Sequence, residues 1–98
     1  MSRYRKTYHI YILANQRRTI YTGATDNLRA RLQTHALGMG STFVQKYQLN
    51  KLVYAEEFPT RMDAARRELQ IKGWRRSKKI ALIEAINPNW DDLSFDVG

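Results

Sequence analysis

From Thr7 to Leu13 polar and apolar side chains alternate, with Tyr and Ile prominent, a period-two pattern that predicts a strand. The polar interval Ala-Asn-Gln-Arg-Arg at 14–18 reads as a turn, and Thr19 to Gly23 reads as a second short strand. So short a connection predicts a β-hairpin. Leu28 and Leu32, four apart, mark a helix from Asn27 to about Ala36, capped by Thr25 or Asp26 and ended by Gly-Met-Gly at 38–40. Ser41 opens a short helix through Tyr47, and Lys51 to Phe58 forms a third strand. Thr60 with Asp63 three residues later resembles a capping box for a helix to Lys72, interrupted at Gly73. Ser77 is a candidate cap for a last helix, which ends at Ile86 before Asn87-Pro88. No repeat or linker appears, so residues 1–98 are expected to be one domain. The order β-β-α-α-β-α-α predicts an α+β fold: a small three-stranded antiparallel sheet flanked by helices.

Two tyrosines stand out because a hairpin does not need them. If the loop is 14–18 and Leu13 pairs with Thr19, Tyr11 lies directly opposite Tyr21. The pair either stabilises the sheet as a cross-strand aromatic contact or forms part of a site. On the next helix Arg31 and His35 are four apart and share a face, as surface residues or as holders of a phosphate. On the helix 61–72 the apolar positions are Met62, Ala64, Ala65, Leu69 and Ile71, and Glu68 falls near the centre of their arc. A carboxylate facing the body of a protein needs a partner: an arginine in a structural ion pair, or a metal.

Charge narrows the partner. The chain has 17 Lys+Arg against 9 Asp+Glu, a net +8. Asp91, Asp92 and Asp96 lie beyond residue 86, where no base remains. All 17 bases therefore face six acids in the first 86 residues, a net +11. Such a domain suits a polyanion, with nucleic acid the expected one. Arg17 and Arg18 sit on the hairpin tip, and Arg66, Arg67, Lys72, Arg75, Arg76, Lys78 and Lys79 crowd one region. These are the candidate nucleic-acid contacts. Trp74 and Trp90 either stack on bases or close the core at helix ends. There is no cysteine, which excludes disulfides and thiolate zinc sites and fits a cytoplasmic location. No apolar run reaches membrane-spanning length, and the segment MSRYRKTYHI lacks a signal peptide's apolar core.

The stretches IYILAN, IYTGATDNLRARLQTH, KLVYAEEFPTRMDAARRE and INPNW resemble the GIY-YIG nuclease superfamily, in particular its small stand-alone bacterial, YhbQ-like branch. The resemblance covers roughly residues 7 to 93. It implies that Tyr11 and Tyr21 are the tyrosines of the two motifs, with Gly23 following the second. Arg31 would contact the scissile phosphate, His35 would match a histidine of some branches, and Glu68 would be the single metal-binding acid. Asn87 or Asn89 matches an asparagine of some members. His9 and Thr22 depart from the motif's glycine and isoleucine, and Ala24 replaces a lysine found in some members.

The activity implied is hydrolysis of phosphodiester bonds in DNA, endo- or exonucleolytic, with one Mg²⁺ or Mn²⁺ and weak sequence specificity. RNA is the other possible polyanion, and the oligomeric state is open between monomer and weak homodimer. In the expected mechanism Tyr11 takes or relays a water's proton, and as a base its phenol would need acidifying by nearby cations, Arg31 and the metal. His35 is a second proton acceptor or a phosphate donor. The alternatives are a non-catalytic nucleic-acid-binding module on the same scaffold and a subunit whose basic face binds an acidic protein.

Overall fold

The computed structural model describes residues 6–97; residues 1–5, half of the segment read for a signal sequence, lie outside that range. Three strands, β1 (Tyr8–Ala14), β2 (Ile20–Thr25) and β3 (Lys51–Phe58), form one antiparallel sheet with β1 in the middle. The helices are α1 (Leu28–Ala36), α2 (Thr42–Tyr47), α3 (Arg61–Lys72) and α4 (Arg76–Ile86), and a 3₁₀ turn spans Leu93–Asp96. The expected α+β architecture is the one observed.

Both faces of β1 are covered, so Ile10 to Ala14 are buried without interruption. One face carries Ile10, Ile12, Ala14, Val53 and Tyr54 against Ala64 and Ile71 of α3, Ile83 of α4, and Trp90. The other carries Tyr11, Leu13 and Leu52 against Leu28 of α1, Val44 of α2, and Leu49. A bulge at Val53 lets Leu52 and Tyr54 face opposite cores, since Ile12 pairs with Tyr54 and Leu13 with Leu52.

The hairpin register differs from the expected one. The loop is Asn15 to Thr19, closed when the Thr19 N–H donates to Asn15 Oδ1 at 3.0 Å, with Arg18 left-handed at φ 63°. Leu13 therefore pairs with Tyr21, and Tyr11 with Gly23. A change of two positions preserves the face, so the tyrosines remain neighbours, diagonally rather than directly opposed. Gly23 makes this possible. The Tyr11 ring lies over it so closely that a Cβ there would sit 2.6 Å from both Cζ and the hydroxyl oxygen.

Helix starts differ by a residue or two. Asn27, not Thr25 or Asp26, caps α1 by accepting from the Ala30 N–H, because Thr25 still belongs to β2 and its hydroxyl accepts from the Asn27 N–H. Ser41 caps α2 and Thr60 caps α3, as expected. α4 starts at Arg76, and its cap position, Arg75, offers no side-chain bond, so Ser77 lies inside the helix.

The chain after α4 is fastened by Asn87. Its amide donates to the carbonyls of Val53 and Asp91 at 3.1 and 2.9 Å, and its Oδ1 accepts from the Asp91 N–H at 3.0 Å. This clamp holds Trp90 at φ 56° with its ring 2 % exposed in the core. The Trp90 indole donates to Glu84 at 2.7 Å. Asn87→Ala removes all three bonds and leaves buried backbone groups unpaired. It is expected to cost about 2–3 kcal/mol in urea unfolding, with intrinsic tryptophan fluorescence reporting the released ring. Gly23→Ala is expected to cost about 1–3 kcal/mol in the same assay, because the Tyr11 ring or the β2 backbone must move.

Candidate active site

Tyr11 projects from the central strand across Gly23 toward the sheet edge. There its hydroxyl lies 3.0 Å from Nε2 of His35, on the last turn of α1. The direction of that bond follows the imidazole tautomer. Space beside the imidazole is just as tight, since a side chain at Gly40 would collide with Nδ1. Nδ1 is buried and has no hydrogen-bond partner among the described residues. The Tyr21 ring stands 6.4 Å from that of Tyr11 and 6.1 Å from that of His35, making a three-ring cluster.

Two charged groups act on this cluster from different elements. Arg31, one helical turn before His35, is exposed, and its charge bears on both Tyr11 and His35. Glu68 comes from α3, which packs under β1 and β2, and its charge also bears on Tyr11. Burial pushes the Tyr11 phenol well above its ordinary range. Tyr21 raises it further, Arg31 draws it down, and Glu68 raises it. Burial outweighs the guanidinium, so Arg31 alone does not acidify the phenol, and the hydroxyl keeps its proton at neutral pH. His35 shifts the other way. Burial, then Arg31, hold its pKa below 6.5, so it is neutral at pH 7.

Glu68 shares its face of α3 with Ala64 and Ile71, the two buried residues of the helix. Met62 and Leu69, expected on that face, are instead 63 % and 72 % exposed, and Ala65 is exposed as well. The Glu68 carboxylate is half-buried and pairs with Lys72 one turn on, at 2.7 Å. Among the described residues no three His, Asp or Glu side chains gather into a closed metal cage. Glu68 can still hold a hard cation as one carboxylate among several oxygens, the rest coming from water and a phosphate.

The basic residues separate into two kinds. Arg67 is half-buried, pairs with Glu56 at 3.3 Å and covers the Trp74 ring, while Arg18 lies over Trp90 and near Glu84. Lys78 covers Trp74, and Arg76 donates to the Arg18 carbonyl. Arg17, Arg66, Arg75 and Lys79 form no ion pair among the described residues. Trp90 is core and Trp74 half-buried beneath two cations.

Sequence reasoning passed over one part of this region. Phe43 stacks on Tyr21 with centroids 6.3 Å apart and the planes 29° apart, and Tyr47 follows at 4.7 Å. The signal was present as two aromatics four apart in a helix opened by Ser41.

Comparison with known proteins places these features. Residues 7–81 match the GIY-YIG catalytic domain. A UPF0213 protein of Staphylococcus haemolyticus is 36% identical over 77 residues, covering 79% of this chain and 94% of that protein. Another from Clostridium perfringens is also 36% identical over 77 residues, covering 79% of this chain and 83% of that protein. The solution NMR structure of the UPF0213 protein BH0048 from Bacillus halodurans superposes with a TM-score of 0.58 at 28% identity, covering 88% of this chain and 92% of that one. The match spans the hairpin with both tyrosines, α1 and α3, so the chain belongs to the GIY-YIG family, in its small stand-alone UPF0213 branch.

Proposed function

We propose that this chain is a divalent-cation-dependent nuclease that hydrolyses phosphodiester bonds in DNA with little sequence preference. The observation that carries the reading is the Tyr11 hydroxyl held 3.0 Å from a neutral His35, with Tyr21, Arg31 and Glu68 about it. His35 Nε2 accepts the phenolic proton as the Tyr11 oxygen takes one from an attacking water. The phenol is a relay, and never needs to rest as phenolate. Arg31 presents paired donors to the non-bridging oxygens, where charge accumulates. Tyr21 orients the phosphate or the water. Glu68, parted from Lys72, would hold Mg²⁺ or Mn²⁺ together with the phosphate. When bound, the cation supplies charge neutralisation at the leaving oxygen. The exposed cations Arg17, Arg66 and Arg75, with half-buried Lys79, bind backbone phosphates without reading bases.

The Glu68–Lys72 pair favours a second reading, a nucleic-acid-binding module whose acid is structural. Labelled single- and double-stranded DNA with Mn²⁺ separates the two. Glu68→Ala and Arg31→Ala are each expected to slow cleavage by roughly 100-fold or more, and Arg31→Lys to restore little. Salt-sensitive binding without cleavage by the wild type selects the second reading. The Glu68–Lys72 pair is partly exposed, so Glu68→Gln is expected to shift the thermal midpoint by about 3 °C or less. A large drop would make the acid structural.

The pH dependence follows from His35. Its folded pKa lies below 6.5, so the folded chain takes its proton later than the unfolded chain as pH falls. Stability from the neutral ring is complete above about 6.5 and is lost as pH falls toward the folded value. Cleavage is expected to decline over the same interval, since imidazolium cannot accept the phenolic proton. NMR titration of His35 beside single-turnover rates checks this, and His35→Gln is expected to abolish the pH-dependent decline along with most activity.

A further inference from the structure

The aromatic rings do not stop at the candidate site. Phe43 and Tyr47 continue outward from Tyr21, and they remain 41 % and 42 % exposed. Stabilising a helix as an i,i+4 pair asks only for contact between the two rings. It does not account for two large rings left in water next to a catalytic tyrosine. The surroundings are cationic. Lys46 reaches over the Tyr47 ring at 5.4 Å, and Tyr47 borders a hollow of about 870 Å³ whose wall includes Arg17, Lys46 and Lys51. The one acid on that wall, Asp92, accepts from the backbone N–H groups of Leu52 and Ser94. Exposed π faces beside a basic hollow match one class of ligand: a strand whose bases are free to stack and whose phosphates need cations. In a duplex the bases are already stacked on one another and cannot reach these rings.

We propose that Phe43 and Tyr47 form a stacking platform for unpaired bases of single-stranded DNA flanking the scissile phosphate, with the Arg17–Lys46 hollow taking the adjoining phosphate. This inference rests on the reading of the chain as acting on DNA and adds the strand structure it selects.

The test is binding rather than cleavage. Fluorescence anisotropy in EDTA measures the affinity of the full chain for three probes: an oligothymidine, a duplex of equal length, and an abasic strand with the same number of phosphates. Wild type is expected to bind oligothymidine most tightly. Phe43→Ala and Tyr47→Ala are each expected to weaken that binding about ten-fold, with less than two-fold change for duplex and abasic strand. Phe43→Leu and Tyr47→Leu keep apolar packing, remove the π face and are expected to lose oligothymidine affinity similarly. Circular dichroism verifies that each variant is folded. Unchanged oligothymidine affinity in the folded leucine variants, or equal wild-type affinity for abasic and oligothymidine strands, overturns the platform and leaves the DNA reading standing. Failure of the wild type to bind any of the three, both in EDTA and with Ca²⁺ in its place, overturns both.

Discussion

A phenol ring laid across a glycine on the neighbouring strand is the contact on which the rest of the site depends. β1 is the middle strand, and side chains leaving a middle strand ordinarily end inside a core. Because Gly23 has no Cβ, the Tyr11 ring can lie over β2 and carry its hydroxyl to the sheet edge. There it meets His35, seated just as tightly against Gly40. The close fit has an electrostatic consequence. Burial disfavours charge on both partners, so the phenol keeps its proton and the imidazole stays neutral. Transfer within the pair alone would charge two buried groups, so the phenol can pass its proton to the imidazole only as its oxygen gains another.

Two of the four helix caps, those of α2 and α3, were legible from a single residue each. Thr60 ahead of Asp63 starts α3, and Ser41 starts α2, because each hydroxyl satisfies a backbone N–H that would otherwise lack a partner. The hairpin register was not decided that way. Two five-residue loops, 14–18 and 15–19, fit the same alternation, and the choice falls to the Asn15 side chain and to Arg18 entering left-handed backbone. The wheel for α3 found Glu68 on the inward face although three of the apolar residues used to draw that face, Met62, Ala65 and Leu69, are exposed. Ala64 and Ile71 flank Glu68 on the same stripe and were enough to define it. Burial of the Tyr11 hydroxyl could not be anticipated, because it depends on β2, α1 and Gly23 meeting in space.

Counting charges overstates the surface available to a polyanion. Arg67 and Arg18 lie over indoles and near carboxylates, where their planar guanidinium groups also cover apolar surface. One of the three acids after residue 86 is also used internally: Asp92 accepts two backbone bonds that fasten the final turn to β3. Removing those groups leaves a field centred on the hairpin tip, the outer faces of α3 and α4, and the hollow beside Tyr47.

If Glu68 holds the cation, as proposed, a single carboxylate makes cation binding a property of the complex rather than of the chain. Glu68 already has Lys72 at 2.7 Å, so a cation must displace an ammonium to gain one ligand. With so few protein oxygens, most of the coordination shell comes from elsewhere, and Mg²⁺ in particular releases water reluctantly. A phosphate arriving at Arg31 changes both sides of that balance. It brings oxygens for the cation and gives the Lys72 ammonium another anion to face. Cation and DNA should therefore bind with positive coupling, each strengthening the other by the same factor, as linkage requires. On the proposed function, a chain arranged this way would hold a cation weakly until a backbone is in place, which would tie hydrolysis to the presence of substrate.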